Sequence, residues 1–402
     1  MKPAAPKFDN PFRPGAGHMP PYLAGRKEEE NEFRKLLKQK TILQNLILTG
    51  LRGVGKTVLL ETFKPIAIQE GWLWVGTDLS ESASVSEESL ATRILTDLAV
   101  VTCTMTITFD DTEKIGFLQN TRETKHPMSF AMLHEIYKQT PGLVSDKIKG
   151  VLEFIWKELE KLDRRGVIFA YDEAQNLSDM ASKEQYPLSM LLDVFQSIQR
   201  KNIPFMLALT GLPTLFPKLV EARTYSERMF HVVVLNKLNE TDGRDAIVIP
   251  IKKAGCPVSF KDESVKTIYE ISGGYPYFIQ FICKEVYDVW AQNSKVGVPV
   301  NEIVRKLDSD FFAGRWAKAT DRERDLLAIV SSLPNCDDEF TVQEIVNLSK
   351  EKSEKPFSSS HVNQMLNSLI KAGLVYRNRY GKYSFAVPLL GQFIRRQEEQ
   401  TL

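Results

Sequence analysis

Gly50-Leu51-Arg52-Gly53-Val54-Gly55-Lys56-Thr57 places glycines, a lysine and a hydroxyl at the spacing of a G-x-x-x-x-G-K-[ST] phosphate loop. Glycine lets the backbone wrap closely around an anion, so that successive N–H groups and the positive end of a following helix face it. In that chemistry Lys56 reaches the β- and γ-phosphates of ATP, and the Thr57 hydroxyl sits on Mg2+. The flanks agree: the apolar run Asn45-Leu46-Ile47-Leu48-Thr49 precedes the loop, and a helical pattern from Val58 to Phe63 follows it. Gly50, Gly53, Val54, Gly55, Lys56, Thr57 and Val58 are the expected nucleotide contacts.

A second apolar run, Gly166-Val167-Ile168-Phe169-Ala170-Tyr171, ends in the paired carboxylates Asp172-Glu173. Phosphoryl transfer asks a protein mainly for positioning and charge stabilisation. Asp172 suits Mg2+ held through water, and Glu173 suits orienting or deprotonating the attacking water. A third run, Pro204 to Gly211, carries Thr210 at its end, placed either to hydrogen-bond the water or the γ-phosphate or simply to begin a turn. Helical patterns separate these runs and His231-Val232-Val233-Val234-Leu235 adds another, so the spacing predicts an α/β fold with a doubly wound parallel-sheet P-loop NTPase core.

The whole chain sets limits on its partners. With 402 residues and a net charge of +1, it is too long for one ordinary core and is not a uniformly basic protein that coats nucleic acid. Its cysteines, Cys103, Cys256, Cys283 and Cys336, form no C-x-x-C pair, which disfavours a zinc site or a disulfide framework. No apolar run approaches the ~18 residues of a membrane span, and the first residues lack a secretory apolar core, so no membrane partner and a cytoplasmic location are expected.

The C-terminal part reads as a winged helix: amphipathic helices over Asp321–Val330, Thr341–Leu348 and Ser358–Ala372, then a hairpin of Leu374–Arg377 and Tyr383–Val387 around a turn at Tyr380-Gly381-Lys382. Between Glu354 and Glu398 there is no acidic residue, while Lys355, Lys371, Arg377, Arg379, Lys382, Arg395 and Arg396 all fall there. Such a local basic face suits double-stranded DNA, with Lys371, Arg377, Arg379 and Lys382 as candidate contacts. Protein docking is the alternative use of the same module.

The order Gly25-Arg26, phosphate loop, Asp172-Glu173, Thr210, Arg228 and Gly274-Tyr275-Pro276 resembles the AAA+ and STAND ATPases, especially archaeal-type ATPases and origin-recognition initiators. The resemblance implies that Gly25 and Arg26 border the adenine and that Pro276 opens a small helical lid near the base. It also implies that an arginine between the third strand and the next, Arg228 in preference to Arg223, acts on the γ-phosphate of a neighbouring subunit, which requires self-association. One departure stands out: Tyr277 to Trp290 contains Lys284 but no arginine, where lids of this kind carry a nucleotide-sensing one.

The resulting expectation has an extended proline-rich arm at 1–21, an ATPase core at 22–240, a helical lid at 241–315 and a winged helix at 316–402. It is an ATPase whose nucleotide state controls assembly and duplex DNA binding. The alternatives are a STAND-like switch signalling to a protein partner, or a nucleotide-binding scaffold with little turnover. The stretch from Cys103 to Gly142, β-rich at Met105–Phe109, carries no functional reading.

Overall fold

The apolar runs expected as strands pair side by side in one parallel sheet. The computed structural model describes residues 9–15, 17–115, 118–256, 259–292, 298–353, 355–379 and 381–401. The chain divides into two units, one of residues 27–49 and 59–234, the other of 1–26, 50–58 and 235–402.

In the first unit, helix α1 (Lys27–Leu37) leads to strand β1 (Asn45–Thr49), and α2 (Lys56–Gln69) leads to β2 (Trp72–Val75). Helix α3 (Glu87–Thr102), strands β3 (Thr106–Ile115) and β4 (Leu118–Pro127), and helices α4 (Phe130–Gln139) and α5 (Val144–Lys161) come before β5 (Gly166–Tyr171). Helix α6 (Pro187–Arg200), β6 (Phe205–Gly211), α7 (Leu215–Ala222), α8 (Ser226–Met229) and β7 (Phe230–Val234) complete it.

The five-stranded sheet runs β2-β5-β6-β1-β7, parallel throughout. Every residue of β1, β5 and β6 is buried, as expected for strands covered by helices on both faces. Between β5 and α6 the core is aromatic: Phe169 meets Phe195 edge-on at 4.9 Å and Phe205 at 5.6 Å between ring centroids. The one polar side chain opening β1, Asn45, is fully buried and fully used. Its amide donates to the Met229 carbonyl at 3.2 Å and its oxygen accepts the Leu207 N–H at 2.8 Å and the Gln199 carboxamide N–H at 2.8 Å. These bonds pin β1 beside β6, and the register Tyr171↔Leu209 brings the residues after β5 next to Thr210.

The stretch that sequence left without an architecture contains a two-stranded antiparallel ribbon. Strands β3 and β4 pair from Thr106↔Pro127 to Ile115↔Leu118; residues 116–117 at its tip lie outside the described residues.

In the second unit the described part of the proline-rich arm forms no helix or strand. It packs on a set of helices: α9 (Glu240–Lys253), α10 (Asp262–Ser272), α11 (Pro276–Gln292), α12 (Val300–Leu307) and α13 (Ala313–Trp316). Asn10 donates to the Lys284 carbonyl at 2.9 Å and to the Asp288 carboxylate at 2.7 Å, and Phe12, 2% exposed, stands 6.2 Å from the Phe260 ring. The remainder runs α14 (Asp321–Ser331), β8 (Phe340–Thr341), α15 (Val342–Lys352), α16 (Ser359–Lys371), β9 (Val375–Arg379), β10 (Lys382–Phe385) and α17 (Leu390–Thr401). Its three strands form an antiparallel sheet ordered β8-β10-β9. Among the described residues no helix is long and apolar enough to cross a membrane.

Candidate nucleotide site

Strand β1 runs straight into the loop that begins at Gly50, and the loop ends where α2 begins at Lys56. Gly53 (φ 81°) and Gly55 (φ 94°) hold left-handed backbone, a region that costs side chains with a Cβ. A Cβ placed on Gly55 would meet nothing within 4 Å, so the loop presents open space beside that amide. Lys56 is 8% exposed, and its ammonium donates to the carbonyls of Gly50 at 2.9 Å and Leu51 at 3.0 Å, which keeps a cation against the loop backbone.

Two further residues hold the loop. Arg26, buried, donates to the carbonyls of Val54 at 3.0 Å and Asn236 at 2.8 Å, while the amide of Tyr277, in the first turn of α11, donates to the Gly53 carbonyl at 3.1 Å. Arg26 therefore braces the phosphate loop, a use that the resemblance did not imply. Pro276 is the first residue of α11, where its fixed φ and missing N–H suit a helix start. Gly25 (φ 63°) lies against Asp242: a Cβ there would sit 2.6 Å from its carboxylate. Thr57 and Val58, in the first turn of α2, continue straight from Lys56. Asn236 and Tyr277 were not legible in the sequence, since both act through backbone atoms brought to the loop by the fold.

At the end of β5, Asp172 is 5% exposed. Its Oδ1 accepts the Glu173 amide at 2.8 Å and the hydroxyl of the fully buried Thr210. Thr210 thus engages the carboxylate next to it. The backbone of Asp172 is fixed as well, its carbonyl accepting the Leu79 N–H at 2.9 Å. Glu173 is exposed and left-handed (φ 52°), an uncommon conformation for a residue with a Cβ. Asp172 and Thr57 each carry a hard oxygen donor of the kind Mg2+ takes, usually one or two protein groups alongside phosphate oxygens. Among the described residues no cluster of three or more His, Cys, Asp or Glu could hold a metal by itself.

The two candidate arginines differ in their surroundings. Arg223 grips Asp193 through both carboxylate oxygens, at 2.8 and 2.7 Å, and Tyr225 donates to the same carboxylate at 2.7 Å. The Arg223 guanidinium is pushed above its ordinary pKa by that hydrogen bond. Burial alone would raise the Asp193 carboxyl, yet the bonds from Arg223 and Tyr225 hold it below its ordinary value. Arg228 is exposed and lines a surface groove of about 630 Å³ with Glu32, Lys35 and His231, where His231 pairs with Glu32 at 3.2 Å.

Among the C-terminal basic residues, Lys371 and Arg377 are exposed and Lys382 is half-buried. The Arg377 guanidinium lies 5.6 Å from the Tyr383 ring centroid. The Arg379 side chain and Tyr380 lie outside the described residues, although the Arg379 backbone pairs with Lys382. Arg395 and Arg396 leave the expected basic face: Arg395 bonds the Ser331 carbonyl and Arg396 pairs with Asp308. The exposed side of α16 shows His361, Asn363, Gln364, Asn367 and Lys371, with no carboxylate.

A family model described as a domain of unknown function (DUF8462) matches residues 309–394. No curated protein sequence matches the chain. The Walker-type ATPase of Pyrococcus abyssi is similar in structure, with a TM-score of 0.58 at 15% identity over 93% of this chain and 96% of that one. The Aeropyrum pernix ORC2 protein in its ADP form gives 0.56 at 12% identity over 96% and 97%. The same protein in ADPNP–ADP complexes gives 0.53 at 13% identity over 97% and 98%. Likeness at these identities is likeness of fold, and across nearly its whole length this chain has the fold of the AAA+ P-loop ATPases.

Proposed function

We propose that this protein binds and hydrolyses ATP. The observation that carries the reading is the loop itself: two left-handed glycines, an open approach at Gly55 and a cation held on the backbone, at the start of a helix that follows a buried parallel strand. Gly50, Gly53, Val54, Gly55, Lys56, Thr57 and Val58 contact the phosphates, with Lys56 as their main cation. Thr57 and Asp172 hold Mg2+, which when bound offsets charge on the phosphate oxygens. Thr210 fixes Asp172 through its hydroxyl. Glu173 directs a water in line at the γ-phosphorus and takes up its proton. Gly25, Arg26 and Pro276 border the nucleotide, Arg26 by bracing the loop.

Calorimetry with ATP and Mg2+ tests binding: the unaltered protein gives heat and gains thermal protection, and Lys56→Ala loses both. Glu173→Gln retains ATP while turnover falls by about 10²-fold or more, the scale of general-base loss. Ordinary turnover in that variant sinks the assignment.

Residues 22–240 serve in this reading as the ATPase core, 241–315 as a helical lid and 316–402 as a winged helix. ATP drives self-association, with Arg228 acting on a neighbouring copy's γ-phosphate; the engagement of Arg223 by Asp193 supports that choice. The winged helix meets duplex DNA through α16, whose exposed side lacks carboxylates, and through Lys371, Arg377, Arg379 and Lys382. A second reading, a STAND-like switch that signals to a protein partner without DNA, draws support from the withdrawal of Arg395 and Arg396 to internal partners.

A further inference from the structure

The turn after β5 contains a polar bridge that the motif roles leave unused. Left-handed backbone at Glu173 (φ 52°, ψ 33°) folds the chain so that Gln175 donates its carboxamide N–H to a Glu173 carboxylate oxygen. The other end of the same carboxamide is fixed too, its oxygen accepting the Leu212 N–H at 3.1 Å. The Gln175 carbonyl accepts the Lys218 ammonium at 2.7 Å. Gly211, the last residue of β6, leaves the room: a Cβ there would sit 2.6 Å from Gln175 Oε1 and 2.9 Å from the Leu215 side chain.

This arrangement answers a physical need. An exposed glutamate has rotamer freedom, whereas a residue that aims water must hold one attitude, and a misplacement of about 1 Å can cost up to 10²-fold in rate. A neutral carboxamide fixes the carboxylate without cancelling its charge, as a lysine in the same place would. Lys218 of α7, whose ammonium also reaches this turn, is directed to the Gln175 backbone carbonyl. We propose that Gln175 is a positioning residue for hydrolysis, tying the Glu173 carboxylate to the end of β6 so that it points at the attacking water. The inference rests on the role given to Glu173 above.

Three variants test it, each with ATP affinity from calorimetry, turnover and melting temperature. Gln175→Ala removes the bridge; Gly211→Ala displaces the carboxamide while leaving Gln175 and Glu173 in place. Both are expected to keep ATP affinity within about twofold and to lower kcat about tenfold. Gln175→Glu keeps the size of the side chain but replaces the donor by a second carboxylate, so its kcat should fall at least as far as that of Gln175→Ala, again without loss of ATP affinity. A merely structural role would lower the melting temperature and ATP affinity along with turnover. Turnover of Gln175→Ala and Gly211→Ala within twofold of the unaltered protein, or a fall in turnover matched by an equal fall in ATP affinity, overturns the positioning role alone. No ATP binding or turnover by the unaltered protein overturns the ATPase reading, and this role with it.

Discussion

Single side chains in this protein divide into those that motif spacing announces and those that only three-dimensional neighbours define. The loop residues Gly53, Gly55 and Lys56 were legible because their chemistry is local: backbone shape and one cation adjacent in sequence. The bracing bonds of Arg26, which the resemblance placed beside the adenine, and the bridge made by Gln175 were not, because their partners include Asn236 and Leu212, which no spacing rule connects to them. The pairing of Arg223 with Asp193 is of the second sort and makes a pH prediction. The folded Asp193 carboxyl titrates below its ordinary value, so its contribution to stability is fully present above the unfolded pKa of ~3.9 and is lost as pH falls through the folded one. Thermal unfolding of Asp193→Asn should therefore lie below that of the unaltered protein at neutral pH. The gap should narrow as pH falls below ~3.9, and a gap independent of pH would refute the ion pair's part in stability.

Elements follow the same division. The parallel core was readable from runs of apolar residues because covered strands need them on both faces, and β1, β5 and β6 are buried along their full lengths. Helices α14 and α15 each start with a Thr three residues before a Glu, a reciprocal cap. Thr341 caps α15, accepting the Glu344 N–H at 3.2 Å, while the Glu344 carboxylate accepts the Thr341 hydroxyl and the Thr341 N–H, each at 2.7 Å, and it is these two bonds to the carboxylate that lower the Glu344 pKa. Thr341→Ala should cost about 1 kcal/mol, a fall of roughly 2–4 °C in melting temperature measured by calorimetry. The β3–β4 ribbon escaped sequence reading because its second strand, Leu118 to Pro127, is largely polar, with Gln, Arg, Glu and Lys in place of an apolar alternation. Hydrophobic periodicity is the main sign by which a strand shows itself in sequence, and β4 gives almost none.

Across the whole molecule, the fold is that of the AAA+ P-loop ATPases, and the proposed contact with duplex DNA would rest on surface charge. Substituting Lys371, Arg377 and Lys382 together by alanine should weaken duplex binding and reduce its salt slope by about one for each phosphate no longer neutralised, as read from titrations at several salt concentrations. Unchanged binding would favour the protein-partner reading. In the proline-rich arm, Asn10 is bonded to residues 274 and 278 positions further along the chain. At ribosomal rates of about 5–20 residues per second, those partners emerge on the order of tens of seconds after it. Every residue of the sheet unit has been synthesised before residue 235, whereas Phe12 cannot reach its packing partner Phe260 until that residue is made. Docking of the arm is thus a late event of synthesis, completed only once the chain has passed Asp288.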